Sequence, residues 1–513
     1  MDPHDENQPL LGSSEARPTP SSKSQKFHVM FAAITLILAV DFGFYLTTAP
    51  QTKVFESIVC QNYISGLPKH EITIPTEDIC KSGPVQSELA LVNGWKDTSD
   101  VLPGIILSVP YGVLADRWGR KPVLLLGMLG VLLGEFWVRF VCLYSNVLPL
   151  RLVWLSGVWR IIGGGDITLS STALVMIADR FPQEEMATAL FRIVSATLLC
   201  EVLATPVSAY LMTSDPWTPY MLGLGIATFG AISAFLMPET LDNAKSKISS
   251  MGANIAEEEE ANILSQPATK GSIRQYVRGK VHELRESTQF VIGSPAVTVC
   301  LFALFITSIS RQSTSLLLQY TSKRFDWSIA NVSFLIFSVF CTGFKVLTTF
   351  KASLLISLRG IITLFNFLVL MPALYSLLTR YAHFSGNVKD LRLAQISSFV
   401  SAIGFIVMAT AISRAILILG VVLLSLGAVF AVSCRTFVTS VVRPDRVATL
   451  YSSAAALTSV GSVVSGPLLA YSFRLGLSLG PSWFGLPFLL AGAIYLLGSV
   501  LLIRLKVPDT IYG

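Results

Sequence analysis

Acidic and basic side chains recur inside long apolar runs of this 513-residue chain, where a lipid-facing segment would carry none. An ionisable group within a bilayer span costs about 2.5–3.5 kcal/mol on insertion scales, so it faces a cavity or a partner. Asp41, Asp166 and Glu201 each lie in such a run. A buried carboxylate can exchange protons near neutral pH, which makes these three candidate proton carriers. Arg160 precedes Gly163-Gly164-Gly165 and Asp166 and is a candidate cavity charge. Arg160 and Asp166 are six residues apart, about 600° of helix rotation, so on a regular helix they project about 120° apart and need separate environments. Asn93, Asp97, Asp100 and Gly104 share one face by i, i+3, i+4 spacing, with Lys96 one turn before Asp100 and able to pair with it. That face either lines a cavity or lies near the outer headgroups. Glu135 and Arg139, at i, i+4, read as a self-neutralising pair. Arg311 and Arg435 suit either an anionic substrate group or anchoring at a helix end. The sequence contains no H-E-x-x-H, no G-x-S-x-G and no Walker loop. The expected chemistry is therefore movement of protons and solutes, with no enzyme activity, cofactor or metal.

The elements that must hold these groups follow from composition. Hydrophobic residues make up 52% of the chain and charged residues 14%, against about 25% charged in a soluble protein. Too few charges remain to cover soluble domains, so the chain reads as an all-α, multi-pass membrane protein. A span needs about 20 apolar residues, so twelve would use roughly half the chain. The net charge of +6 sits largely in loops, which is orientation charge and not a nucleic-acid surface. Seven cysteines show neither a C-x-x-C pair nor zinc spacing. Cys60 and Cys80 share the first long loop and can form an exofacial disulfide; the others lie in or beside apolar runs.

Residues 1–27 read as a disordered cytosolic tail, polar and rich in Pro and Ser, with no signal peptide before Met30. Glu6 to Leu11 resembles an acidic dileucine sorting signal. Expected helices are 1 (Val29 to Thr48), 2 (Glu88 to Leu114), 3 (Pro122 to Leu143), 4 (Leu148 to Ala178), 5 (Met186 to Met212) and 6 (Trp217 to Met237). A polar linker, residues 242–294, follows; a solvated segment with one amphipathic surface helix accounts for its acidic run Glu257 to Glu260 and its later bases. The second half holds helices 7 (Pro295 to Tyr320), 8 (Leu354 to Leu378), 9 (Leu393 to Ile412), 10 (Ala415 to Val438), 11 (Val447 to Phe473) and 12 (Trp483 to Leu505). The expected bundles are residues 28–241 and 295–507, with a cytosolic tail at 508–513. Arg380, Lys389, Arg392, Arg443, Arg446, Arg504 and Lys506 fall on one side and only Arg414 and Arg474 on the other, which puts both termini in the cytosol. Phe337 to Ser353 fits poorly: it carries Lys345 and Lys351, and a full span there would invert the charge bias. With Ser333-Phe334-Leu335-Ile336 nearly recurring at Ser353-Leu354-Leu355-Ile356, residues 337–356 read as an insertion, for which translated intron sequence is one source.

Gly112 to Lys121, G-V-L-A-D-R-W-G-R-K, forms a short charged loop between two apolar runs. A positive-inside bias explains Arg117, Arg120 and Lys121, but not the spacing of Gly112, Asp116 and Gly119, where the glycines allow close backbone approach. The pattern G-x-x-x-D-R-x-G-R-K resembles the signature loop between helices 2 and 3 of the major facilitator superfamily. Pro238-Glu239-Thr240 after helix 6 resembles the close of that superfamily's first half, and Arg160 ahead of the glycines loosely resembles its proton-coupling motif, with Asp166 where a small residue is usual. The resemblance implies twelve helices in two pseudo-symmetric six-helix bundles, with the 112–121 loop as a cytosolic gate.

An internal repeat supports the two halves at a constant offset. Glu184 matches Asp445, Ala187 Ala448, Thr188 Thr449, Pro206 Pro467, Ala209 Ala470 and Tyr210 Tyr471. A proline among small residues lets a helix bend and pack closely, so helices 5 and 11 are expected to gate, with Glu184 and Asp445 latching the cytosolic side. Drug antiporters of the superfamily carry G-x-x-x-G-P-x-x-G-G in helix 5, and Glu201 to Tyr210 keeps only the proline and small neighbours. The long first loop and the G-G-G-D of helix 4 are similar to proton-coupled folate and haem carriers, within a fungal-type branch. The expected function is proton-coupled movement of a small organic solute by alternating access, export slightly favoured over uptake. A receptor or scaffold that keeps the fold without transport is the alternative; cavity carboxylates argue against it. A monomer in the plasma membrane is expected, with the vacuolar and endosomal membranes as the other settings.

Overall fold

The computed structural model describes residues 20–66, 79–180, 183–236, 239, 295–325, 352–381, 386–442 and 447–505. The sorting-signal segment, the linker, most of the 337–356 stretch and Asp445 lie outside them. Helix 1 runs Pro20–Ser65, helix 2 Gly83–Trp118, helix 3 Arg120–Leu143, helix 5 Gln183–Leu211 and helix 6 Trp217–Leu236. Helix 4 is assembled from Leu150–Leu155, Ser156–Trp159, Ile162–Gly164 and Gly165–Arg180. In the second half, helix 7 is Pro295–Phe325, helix 9 Gly386–Ala409, helix 11 Val447–Leu479 and helix 12 Leu486–Ile503. Helix 8 joins Ala352–Phe365 to Met371–Tyr381 through a π turn at Asn366–Leu370, and helix 10 joins Arg414–Leu426 to Phe430–Val441 through Gly427–Val429. These twelve transmembrane helices form the two six-helix bundles.

Among the described residues, six stretches are long and apolar enough to cross a bilayer, including Arg120–Leu143, Arg414–Val441 and Pro481–Ile503. Helices 1 and 2 outrun the expected spans. Helix 1 continues past Pro50 into the loop expected after Thr48, and helix 2 absorbs Gly112 to Trp118, leaving Gly119 alone as the turn. Gly119 has φ 114°, a left-handed conformation that favours glycine. At Gly112 the expected close approach is not found: outside its own turn of helix 2, no described atom lies within 4 Å of where a Cβ would stand.

The second bundle closes around Phe405, Phe430, Phe437, Phe473, Phe488 and their aliphatic neighbours. The π turn of helix 8 and the break of helix 10 answer one another. A break frees carbonyls that lipid cannot satisfy; buried Asn366 donates from Nδ2 to Ser425 O at 3.2 Å and Leu426 O at 2.8 Å. The repeat is legible in burial as well: Ala209 and Ala470 are fully buried, while Tyr210 and Tyr471 are both exposed.

Cys60 and Cys80 are joined by a disulfide with a Cα–Cα distance of 5.0 Å, tying the end of helix 1 to the start of helix 2. Beside it Gln86, fully buried, donates to Glu56 Oε1 at 2.8 Å and Cys80 O at 3.1 Å, and Lys53 pairs with Glu56 at 2.8 Å. The bond bridges a sequence separation of 20, and a loop of that size gives about 2–4 kcal/mol of constraint. Replacing both cysteines by serine is expected to lower the melting temperature in detergent to that of reduced wild type. A variant that melts like oxidised wild type would contradict this.

Candidate functional site

The first bundle holds a chain of alternating charges across helices 2, 3, 4 and 6. On helix 2, Lys96 Nζ lies 2.9 Å from Asp100 Oδ2, both side chains under 10% exposed. Asp100 Oδ1 accepts from Ser156 Oγ at 2.5 Å and stands 3.2 Å from Arg160 Nε, an ion-pair contact without hydrogen-bond geometry. Arg160 Nη2 reaches Glu135 Oε1 at 3.0 Å, and Glu135 Oε2 accepts from Arg139 Nη1 at 2.8 Å. Arg139 ends the chain on helix 6, where Nε and Nη2 donate to Tyr220 O at 3.1 and 3.0 Å and the guanidinium sits 4.1 Å from the Tyr220 ring centroid. The remaining arm of Arg160, Nη1, donates to Asp166 Oδ2. Lys96, Arg139 and Arg160 thus balance Asp100, Glu135 and Asp166. Breaking a buried pair leaves an uncompensated charge, and this network leaves none.

The contact between Arg160 and Asp166 corrects the expectation from helical periodicity. That expectation assumed an unbroken helix. Gly163, Gly164 and Gly165 have φ of 80°, 74° and 66°, so the chain reverses its winding and restarts at Gly165. A Cβ on Gly163 would collide with the backbone of Leu126 and Gly127, and one on Gly130 with Ile162 O. Helices 3 and 4 therefore meet main chain to main chain, which sets Glu135 beside Arg160. Freed carbonyls are repaired by Tyr111 Oη to Ile161 O and Thr168 Oγ1 to Gly164 O, both at 3.0 Å. Arg160 is 4% exposed, whereas the Asp166 side chain is 57% exposed. The network has one exposed end. Lys96 and Asp100 are buried within the helix packing, not at an exposed helix end.

Other predicted residues lie apart from this network. Asp41 Oδ2 accepts from Thr197 Oγ1 of helix 5 at 2.6 Å. Glu201 is 6% exposed on the same helix, one turn beyond Thr197. Asp97 Oδ2 accepts from Gln312 Nε2 of helix 7 at 2.5 Å, joining the two bundles. Arg435 is exposed on helix 10 after its break. Pro206 and Pro467 lie inside helices 5 and 11, which continue through them. Asp116, Glu184 and Arg311 fall on helices 2, 5 and 7, and their side chains lie outside the described part.

The bundles meet most closely where helix 2 crosses helix 11. A Cβ on Gly94 would stand 2.9 Å from Gly466 O and from the Ala470 Cβ, and Thr98 Oγ1 donates to Val463 O at 3.1 Å. Helix 5 meets helix 8 in the counterpart pairing.

At the helix 2–3 turn, the backbone N–H groups of Arg120 and Lys121 donate to Glu239 Oε1 and Oε2 at 3.0 and 3.1 Å. An anionic side chain so placed satisfies the orphan N–H groups of helix 3 and complements its dipole. Lys121 Nζ also donates to Phe235 O at 2.7 Å, while Arg117 is exposed. The sequence shows both the loop and the P-E-T ending but nothing that joins residues so far apart.

The sequence profile of the Major Facilitator Superfamily matches residues 84–388. The chain belongs to that superfamily. Over 498 residues it is 31% identical to the MFS-type transporter avaK of Aspergillus versicolor, covering 97% of this chain and 96% of that protein. It is also 31% identical to the MFS efflux pump atnC of Emericella nidulans, covering 96% and 90%. The crystal structure of a D-xylose-proton symporter superimposes with a TM-score of 0.56 at 14% identity, covering 92% of this chain and 95% of that one, a likeness of fold. This facilitator is a multi-pass membrane transporter for small-molecule substrates, working in a lipid bilayer.

Proposed function

We propose that this facilitator is a proton-coupled exporter of a small organic solute that works by rocking its two bundles around a midplane site. The observation that carries the coupling is the balanced charge network with its one exposed end, Asp166. Arg160 divides its hydrogen bonds and ion pairs among three carboxylates. Protonation of Asp166 releases one arm of Arg160, and the released arm shifts the balance at Asp100 and Glu135. Those residues sit on helices 2 and 3, so the proton is felt where helix 2 meets helix 11. Export is favoured over uptake because the relative atnC is named an efflux pump. The charge bias of the loops supports a topology with both termini in the cytosol, residues 28–241 and 295–507 as the moving bodies, and the Gly119 to Lys121 turn, held by Glu239, on the cytosolic gate. In that topology the Gly94–Gly466 crossing lies on the outer side, so the described state is closed outside. A receptor without transport would have no use for an exposed carboxylate ending a buried ion network.

Purified protein in proteoliposomes tests this with a panel of 5-carboxyfluorescein, rhodamine 6G and ethidium under an imposed pH gradient. Wild type is expected to concentrate at least one of them. Asp166→Asn is expected to lose accumulation driven by the pH gradient and to keep exchange down the solute's own gradient. A variant that still concentrates the solute would move the coupling role to Asp41 or Glu201.

A further inference from the structure

Glu201 sits in the middle of helix 5 and is almost wholly buried at the boundary between the bundles. Across that boundary Gly360 of helix 8 packs on it: a Cβ at Gly360 would stand 3.4 Å from Glu201 Cγ, 3.6 Å from Glu201 Cδ and 3.1 Å from Val202 Cγ2. The residue before that glycine is Arg359, half-buried within an apolar helix. Because Gly360 touches Glu201, the neighbouring Arg359 projects from the turn of helix 8 that meets Glu201. An arginine stays charged at any physiological pH, and inside a span it needs a counter-ion. Glu201 is the carboxylate that the opposite bundle offers. Separating the bundles removes it, because the two groups ride on different moving bodies.

We propose that Arg359 is the anion-recognition residue of the transport site, which takes an organic carboxylate, with Glu201 as the internal carboxylate that the substrate replaces. The inference rests on the rocking of the two bundles proposed above. Arg359 presents a planar fork that suits a carboxylate in two-point contact. Glu201 stands as the charge partner across the boundary while no substrate is bound and gives way when the substrate's carboxylate arrives. The exchange keeps Arg359 neutralised throughout the cycle, so no bare cation is carried through the bilayer. An added Cβ at Gly360 would press on the Val202 Cγ2 methyl and lie in van der Waals contact with Glu201, which shows how closely helix 8 packs there. The arrangement selects against neutral solutes of the same shape, because a buried, unpaired arginine and glutamate would then both remain.

Fluorescence anisotropy of 5-carboxyfluorescein on the purified full-length protein tests the site without requiring transport. Saturable binding is expected, displaced by benzoate and not by benzamide. Arg359→Gln is expected to weaken it about tenfold, the loss of a charge-assisted hydrogen-bonded contact, and Arg359→Lys by less. Glu201→Gln is expected to tighten binding several-fold, because the competitor is gone. A gain of that sign is not produced by structural damage, so it carries the test should Arg359→Gln fail to fold. Unchanged affinity in folded Arg359→Gln, weaker affinity in Glu201→Gln, or no saturable binding to wild type would overturn the proposal. Transport driven by a pH gradient that persists without carboxylate binding would sink this inference and leave the proposed function standing. Carboxylate binding without such transport would do the reverse.

Discussion

Replacing Arg160 with leucine is expected to abolish transport and to cut sharply the amount of protein that elutes as a folded, monodisperse species. The substitution strands Asp100, Glu135 and Asp166 without the cation that reaches all three. Removing one partner of a buried pair costs roughly 3–5 kcal/mol, and two of the three carboxylates belong to the packed interior. Lys96 still neutralises Asp100 and Arg139 still neutralises Glu135, so the loss is graded and some folded protein survives. Arg160→Lys keeps the charge but not the fork. It is expected to fold and to transport slowly, since one ammonium cannot hold Glu135 and Asp166 in the present geometry. Fluorescence-detected size-exclusion chromatography and proteoliposome transport, run on the same preparations, separate the two effects. Wild-type transport by Arg160→Leu would remove the network from the mechanism.

Gly163→Ala is expected to be nearly as damaging, although it adds one methyl group. At φ 80° a residue with a Cβ is strained wherever it sits. Here the added carbon also meets the main chain of helix 3 at Leu126 and Gly127, which has no rotamer to give. Helices 3 and 4 must part, and Glu135 and Arg160 part with them. Gly225→Ala on helix 6 is the control: nothing lies within 4 Å of its added carbon, and it is expected to leave folding and transport unchanged. Equal melting temperatures for the two variants would show that the helix 4 break is not held by these glycines.

Much of this site was readable before any coordinates. Lys96 with Asp100 and Glu135 with Arg139 follow from one-turn spacing, because a helix interior enforces that neighbourhood locally. The Arg160–Asp166 contact does not, since the argument from periodicity fails once the helix stops being periodic. Its signal lies in three consecutive glycines, which permit a break that periodicity ignores. The clamp of Glu239 on the helix 3 N-terminus joins residues more than a hundred positions apart. Each end was recognisable and the link was not. Arg359 is hard to recognise from sequence for another reason: it adjoins the poorly fitting 337–356 stretch, which blurs where helix 8 begins. The repeat was legible because internal duplication preserves both residue type and burial, as Tyr210 and Tyr471 show.

The crossing of Gly94 and Gly466 also bears on how much of a gradient is wasted. Two backbones in direct contact leave no groove in which water molecules could queue, and a proton travels through a bilayer protein most readily along such a queue. A machine fuelled by protons runs down its own supply if the resting seal conducts. Large side chains at that crossing would hold the backbones apart, whereas the two glycines, the small Ala470 and the hydrogen-bonded Thr98 let them close. The two glycines therefore do more than let the halves come near: under the proton coupling proposed above, a contact this close would also keep leak past the crossing low.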